Sequence, residues 1–294
     1  IEGADIVVMN MRPQAAKKLG LDYESLKAIN ASVIYCHTRG FEDSPRSLLP
    51  GNDQTGNALG GTEWEDGGCW NGGRPWFGTT SNGDIGNGYL AAIAMVHALY
   101  DRGKTGRGQK VDASILNAAL FNNSRVTTNP NGDHFERPTL DANQTGYSAL
   151  YHLYHCAEDS WLCIAVVSEK HWQALIGLLP ELASDERFAD SKLRQKNDGE
   201  LVAILEKIMA TKTAQQWFEL MDSAGIPCEI SSSTFSQEMF DDQELIDKGW
   251  VVALEGNPVL GKIDMFGLGI DFSDTPGKVV HAPPVLWQHT AEVL

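Results

Sequence analysis

The stretch Gly83-Asp84-Ile85-Gly86-Asn87-Gly88 marks the point where a glycine-rich loop changes into an apolar helical run. The run covers residues 85–101, and residues 110–113 follow it with the pattern of a strand. Apolar residues lie nearly all round the run, which predicts a buried central helix. The carboxylate of Asp84 stands at the helix start with glycines on both sides, beside unpaired N–H groups and the positive end of the helix dipole. An Asp in this place is also a common helix cap, so the residues alone leave both roles open.

The chain before this stretch alternates strand and helix patterns. Residues 5–9 predict a buried strand, residues 22–29 a short helix capped by Asp22, and residues 32–38 another strand. This alternation is typical of βαβ units and implies parallel pairing. Residues 41–83 are rich in Gly, Asn, Asp and Trp and show little periodicity. A loop of this length in a compact domain usually carries function.

The chain after this stretch predicts a second, smaller α/β region beyond a polar linker. A buried helix at residues 114–121 precedes the linker. The predicted strands are residues 150–156 and 161–167, and the predicted helices are residues 169–179, 193–210, 214–223 and 237–248. The fold class is therefore α/β.

Composition limits the classes of function. The chain has 294 residues, 42% of them hydrophobic and 21% charged, which is typical of a soluble globular protein. A net charge of −16 argues against nucleic acid as a main partner. No apolar run approaches the roughly 20 residues that span a bilayer, and the first residues, which lack a basic region, are not expected to form a signal peptide. Five cysteines without a CxxC pair predict a reducing, cytoplasmic setting, and the eight histidines show no metal-ligand spacing.

Ordered motifs along the chain resemble the family III CoA-transferases. Gly73-Arg74-Pro75, then Asp84, then the stretch from Lys104 to Asp112 resemble the signature of that family, which includes formyl-CoA and carnitine CoA-transferases and is related to the α-methylacyl-CoA racemases. Further similar segments follow in the family's order: residues 4–13, 33–41, 50–53, 225–228, 257–261 and 288–294. The resemblance covers essentially the whole chain.

The resemblance implies a fold and an organisation. The expected large domain is Rossmann-like with a parallel sheet, and the expected small domain is α/β. The implied parts are a large domain at 1–125, a linker at 126–146, the small domain at 147–224 and a segment returning to the large domain at 225–294. Family members form interlocked homodimers. They also begin with a further strand–helix unit, which we expect this chain to lack.

The resemblance also implies site residues. Asp84 matches the catalytic nucleophile of the family, which moves CoA from an acyl-CoA thioester to a carboxylic acid. The positions that match its CoA site are Asn10, Met11, Lys18, Leu19 and Asp53. The alternative roles are strand-end capping for Asn10, core packing for Met11 and Leu19, and turn stabilisation for Asp53. No metal is implied.

CoA is polyanionic, so its binding to this acidic chain requires a local basic patch or helix N-termini. The candidate cations are Arg12, Lys17, Lys18, Lys104, Arg107 and Lys110. Trp64, Trp70 and Trp76 are expected either to shape an acyl pocket or to pack inside the loop. Residues 141–147 stand where formyl-CoA transferases have a run of glycines that forms a flap, and here only Gly146 remains.

Two other functions stay open. A racemase of this superfamily exchanges the α-proton of an acyl-CoA between a His and an Asp. The place of that His is taken by Asn52, which counts against proton transfer. A non-catalytic, CoA-transferase-like subunit is the second alternative.

Overall fold

Three parallel strands form the sheet of the N-terminal region. The structure, a computed structural model, describes residues 1–80 and 82–293. The strands are β1 (Ile6–Met9), β2 (Ile34–Arg39) and β3 (Lys110–Ser114), with β2 in the middle. Met9 pairs with His37, and His37 pairs with Asp112. The predicted α/β class and its parallel pairing are confirmed.

Six helices accompany these strands. They are α1 (Pro13–Lys18), α2 (Tyr23–Ile29), α3 (Asp53–Gly60), α4 (Thr62–Asp66), α5 (Asn82–Thr105) and α6 (Ile115–Asn122). Asp22 caps α2 through its side chain, as the sequence predicts, and the Ser114 side chain caps α6 in the same way. One face of the sheet packs against α1 and α2 around Tyr35, and the other face packs Cys36 against Ala91 of α5.

Helix α5 is not buried all round, and this prediction was wrong. Only its small residues, such as Ala91 and Ala98, and two residues of its first turns are buried. Large apolar side chains of one face are exposed, and we call them the α5 stripe: Ile85, Tyr89, Ile93, Val96 and Tyr100. The periodicity of the run predicts a helix, but it does not distinguish the face that packs within the chain from the face that does not.

The region 41–83 holds more regular structure than its composition predicts. It contains α3, α4 and two short 3₁₀ turns, Pro45–Leu48 and Cys69–Asn71. Helix α3 begins with a capping box, in which the Asn52 side chain accepts from the Thr55 N–H and the Thr55 hydroxyl accepts from the Asn52 N–H. The signal for this helix was therefore its cap rather than an apolar period.

A four-stranded sheet organises the second region, in the order β4 (Gly146–Ser148), β5 (Tyr151–His155), β6 (Trp161–Ala165) and β7 (Cys228–Ile230). Strands β4, β5 and β6 pair antiparallel. Its helices are α7 (Glu169–Leu178), α8 (Pro180–Ala183), α9 (Ser191–Lys196), α10 (Asp198–Met209) and α11 (Ala214–Ser223). The single helix predicted at residues 193–210 is in fact two, because Asn197 leaves the helical conformation and donates side-chain bonds to the carbonyls of Arg187 and Leu193.

The chain forms two compact units, Ile1–Glu229 and Ile230–Leu294. The second unit contains an antiparallel pair, β8 (Val251–Asn257) and β9 (Gly261–Phe266), with short helices α12 (Phe235–Glu238), α13 (Gln243–Asp247) and α14 (Thr290–Val293). The helix predicted at residues 237–248 is interrupted, because Asp242 caps α13 and ends the preceding turn. Among the described residues, no helix is long and apolar enough to cross a membrane. The domain boundaries predicted above stay a prediction.

Candidate functional site

Asp84 lies in the first turn of α5, which begins at Asn82, and it is exposed. Its backbone N–H donates a 2.8 Å hydrogen bond to Oδ1 of Asp53, the first residue of α3. Asp53 is only 4% exposed, and its Oδ2 accepts a bond from the Gln54 side chain. The structure thus brings together two of the predicted site residues. One of them is buried and fixed, and the other is accessible.

The start of α5 approaches its neighbours too closely for any side chain at residue 83. A Cβ at Gly83 would lie 2.9 Å from Asp53 Oδ1 and 2.7 Å from Cγ2 of Ile115 in α6. Similar close approaches place Gly56 and Gly60 of α3 against α6. Glycines therefore let α3, α5 and α6 converge below Asp84.

The electrostatic setting of Asp84 favours a reactive carboxylate. Although Asp84 is exposed, neighbouring atoms partly desolvate its carboxyl and raise its pKa, and the negative charge of Asp53 raises that pKa further. A carboxylate of higher pKa is the more basic and more nucleophilic one when it is ionised. Asp84 also lies in the first turn of α5, where the positive end of the helix dipole favours negative charge.

The predicted CoA-site residues near the N-terminus form a second group. Asn10 and Met11 follow β1 at the carboxyl edge of the sheet, and Lys18 and Leu19 lie at the end of α1. All four are exposed, and Leu19 is 58% exposed, so core packing does not account for Met11 or Leu19. Within residues 1–80 and 82–293, no hydrogen bond joins these four residues to Asp53 or Asp84.

A polar cluster near Met11, in which His37 and Arg39 are buried, was missed by the sequence analysis. It consists of His37, Arg39, Asp43, Lys110 and Asp112, joined by ion pairs and hydrogen bonds. The Nε2 atom of His37 lies 2.7 Å from the carbonyl oxygen of Met11. Burial lowers the pKa of the His37 imidazole. The signal was available, because an imidazole and a guanidinium, His37 and Arg39, stand in the largely buried strand β2. Lys110 is engaged here, which removes it from the free cations considered for CoA.

The three tryptophans of the loop are exposed, so the expectation that they pack inside it was wrong, and their role in an acyl pocket stays a prediction. Trp64 and Trp70 contact edge to face at 6.1 Å, and Trp70 Nε1 donates to Glu65. Trp76 lines a small cavity of about 20 Å³, room for one water, together with Asn57 and Asn82. An aromatic surface therefore extends along the loop that leads to α5.

A large cavity of about 1310 Å³ does not include Asp84 among its lining residues. It lies between residues 125–138 and residues 147–198, and its walls include Arg125, Arg137, Tyr151, Trp172 and Arg194. Each of the three arginines is already paired with a carboxylate, Glu65 or Glu169. The volume alone does not make it the reaction site.

The segment that corresponds to a glycine run is held by one carboxylate. Asp141 accepts hydrogen bonds from the backbone N–H groups of Asn143, Thr145 and Gly146. A Cβ at Gly68 would clash with the Asp141 carbonyl, so the segment also packs tightly against the loop that contains Gly68. Among the described residues, no cluster of His, Cys, Asp and Glu is arranged to hold a metal ion.

Comparisons with known proteins agree with this architecture. The sequence model of CoA-transferase family III matches residues 1–290. The chain is 26% identical to a formyl-CoA:oxalate CoA-transferase of Streptomyces coelicolor, over 100% of this chain and 74% of the relative. It is 27% identical to a succinyl-CoA:glutarate CoA-transferase of Mus musculus, over 99% of this chain and 66% of the relative.

A solved structure shows the same fold. A CAIB/BAIF family protein from Brucella suis superimposes with a TM-score of 0.82 and 27% identity, over 99% of this chain and 75% of that one. Because the family model covers nearly the whole chain and the fold agrees, this protein belongs to CoA-transferase family III.

Proposed function

We propose that the protein transfers CoA from an acyl-CoA thioester to a carboxylic acid, with Asp84 as the nucleophile. The observation that carries this proposal is the pairing of an exposed Asp84 with a buried Asp53 that holds its backbone. The nucleophile is thereby fixed in position while its carboxylate stays accessible. A fixed attacking group removes much of the entropic cost of the reaction.

The reaction proceeds in four exchanges. The Asp84 carboxylate attacks the thioester carbonyl and expels CoA thiolate, which leaves a mixed anhydride. The thiolate attacks the Asp84 carbonyl of the anhydride, so the donor acid departs and an aspartyl-CoA thioester remains. The acceptor carboxylate attacks this thioester and releases the thiolate again. The thiolate then attacks the acyl carbonyl of the second anhydride, which yields the new acyl-CoA and regenerates Asp84.

Two groups of residues support this reaction in our proposal. Asn10, Met11, Lys18 and Leu19 bind CoA at the carboxyl edge of the parallel sheet, the usual place for ligands of such sheets. Lys18 supplies a local positive charge against the overall negative field of the protein. Asp53 lies at the thioester end of the site and acts through Asp84, since both of its oxygens are engaged within the protein.

A racemase reaction is less favoured. The side chain of Asn52, which stands at the position of the racemase His, accepts the Thr55 N–H as the cap of α3. An asparagine held in this way has no proton to exchange with a substrate carbon.

We also propose a homodimer in a reducing compartment. The α5 stripe is a continuous apolar face on a helix of 24 residues, and such a face is typical of an interface with another chain. All five cysteines are free thiols, which agrees with the cytoplasm.

Replacement of the nucleophile tests the proposal. Asp84→Asn is expected to abolish CoA transfer with every donor in an acyl-CoA panel. The fold should persist, because a carboxyl of raised pKa is harder to ionise in the folded chain, so its removal is neutral or slightly stabilising near pH 7. Asp101→Asn, on the same helix, serves as the matched control and should retain transfer. Transfer by Asp84→Asn would refute the mechanism, and proton exchange at the substrate α-carbon would favour the racemase.

A further inference from the structure

His37 makes an unusual contact for a buried residue of a central strand. It is 3% exposed, and its Nε2 lies 2.7 Å from the carbonyl oxygen of Met11. A carbonyl oxygen only accepts hydrogen bonds, so Nε2 carries the proton and donates it. The bond reaches past Met9, the last residue of β1 that pairs with β2. It therefore ties the first residues of the loop after β1 to the middle of the sheet.

The surroundings of His37 hold the ring in this state. Its Nδ1 lies 3.9 Å from Asp112 Oδ1, too far for a hydrogen bond. Asp112 is occupied by other partners, since Oδ1 binds Arg39 and Oδ2 lies 2.9 Å from the Lys110 ammonium. The Tyr35 ring packs edge-on at 5.8 Å and limits rotation of the imidazole. The ring is thus fixed in orientation, with Nε2 aimed at Met11.

The segment that His37 holds is exposed and lies where ligands meet parallel sheets. Asn10 and Met11 leave the carboxyl end of β1, and both side chains face solvent. Ligands of open α/β sheets bind in the crevice outside the carboxyl ends of the strands. A loop at that edge binds a ligand more tightly when its bound conformation is already formed, because less conformational freedom is lost on binding.

We propose that His37 is a positioning residue for CoA, which fixes the Met11 carbonyl and thereby preorders the Asn10–Met11 segment that contacts the cofactor. This inference rests on the proposed function, from which it takes the contact between that segment and CoA. It assigns His37 no part in the bond-making steps at Asp84.

The test compares two replacements of His37 in the full chain. His37→Phe keeps a planar ring but removes the donor, whereas His37→Gln restores an N–H donor at a similar reach. Thr38→Val, at the neighbouring position of β2, is the matched control. The measurements are the Kd of CoA by calorimetry, the KM and kcat for an acyl-CoA donor, and the thermal unfolding of each variant.

We expect His37→Phe to weaken CoA binding and raise KM about five- to tenfold, the effect of one lost hydrogen bond, with kcat nearly unchanged. His37→Gln should recover binding to within about twofold, and Thr38→Val should match the wild type. The inference is overturned if folded His37→Phe binds CoA as the wild type does, or if Gln and Phe are equally impaired. A wild-type protein that binds no CoA would instead overturn the proposed function, and this inference with it.

Discussion

The backbone N–H of Asp84 donates a 2.8 Å hydrogen bond to a carboxylate oxygen of the buried Asp53. Two acidic residues that are 31 positions apart in sequence thus meet at the start of α5. This contact has two effects on Asp84. It fixes the backbone of the candidate nucleophile, and it places a negative charge near the Asp84 carboxyl, which helps to raise its pKa.

Removal of the charge of Asp53 should shift the pH dependence of the reaction. Asp84 must be ionised to attack, so the rate falls as the pH drops through its pKa. Asp53→Asn keeps a hydrogen-bond acceptor but removes the negative charge, so the pKa of Asp84 should fall and the loss of rate should move to lower pH. A profile of kcat/KM against pH measures this shift.

Asp53→Ala provides the comparison, because it removes both the charge and the acceptor. We expect it to lower the free energy of unfolding by about 1.5–3 kcal/mol, the range for hydrogen bonds to charged groups. If the loss of kcat/KM at low pH moved to higher pH in Asp53→Asn, this account of the Asp84 pKa would be contradicted.

Enlargement of Gly83 should damage the site without altering any polar group. Gly83→Ala would place a methyl group 2.7 Å from Ile115 Cγ2 and 2.9 Å from Asp53 Oδ1. We expect a loss of about 1–3 kcal/mol in the free energy of unfolding and a clear loss of transfer, because the helix start must shift. Urea denaturation and the transfer assay measure both effects.

Gly103→Ala is the matched control on the same helix. A Cβ at Gly103 meets no atom within 4 Å, so this change should stabilise the protein by about 0.5–1 kcal/mol through helix propensity. If Gly83→Ala and Gly103→Ala changed the free energy of unfolding and the transfer rate equally, the close packing of α5 against Asp53 and Ile115 would have no importance for the site.

The carboxylate of Asp141 should contribute stability that depends on pH. Burial by itself raises the pKa of the Asp141 carboxyl, but hydrogen bonds from Thr145, Gly146 and Asn143 outweigh it and hold the pKa below its ordinary value. A carboxyl with a depressed pKa in the folded state stabilises the fold above its unfolded pKa and loses this contribution as the pH falls through the folded one.

Asp141→Asn should therefore destabilise the protein by about 1–3 kcal/mol at pH 7. The difference from the wild type should shrink below about pH 4, near the ordinary pKa of an aspartate. Thermal unfolding at several pH values checks this, and a difference that grows as the pH falls would contradict it.

A charge on the α5 stripe should disrupt the proposed dimer. Ile93→Glu places a carboxylate in the middle of this apolar face, where burial against a second chain would leave it unpaired. We expect a fall from dimer to monomer mass in light scattering at micromolar concentration. Ala203→Glu, on an exposed position of α10, is the control and should stay dimeric. A monomeric wild type would exclude the dimer.

The general fold could be predicted from sequence because its signals are local. The alternation of strand and helix patterns, the cap at Asp22 and the apolar run after Asp84 can each be seen in a short stretch of sequence. Each reflects the preference of neighbouring residues for one type of secondary structure. Helix α3 was missed because its sequence signal is the capping box of Asn52 and Thr55 rather than a periodic pattern of apolar residues. The exposed α5 stripe was missed because the apolar pattern of a helix does not show which of its faces packs within the chain.

The site was predictable only in part, for a similar reason. Asp84 has a local signal, since it precedes an apolar helix among glycines. The contact with Asp53 depends on the convergence of α3, α5 and α6, which Gly56, Gly60 and Gly83 permit. The link from His37 to Met11 likewise crosses between strands. Such contacts follow from tertiary packing and leave no periodic trace in the sequence.

The most direct test of covalent transfer through Asp84 is mass spectrometry of the protein after incubation with a panel of acyl-CoA esters, with and without hydroxylamine. We predict a CoA-sized adduct on the peptide that contains Asp84, which hydroxylamine converts to a hydroxamate. The Asp84→Asn variant should show neither product. Turnover of an acyl-CoA by the wild type with no adduct on this peptide, or an adduct on a different carboxylate, would contradict the account.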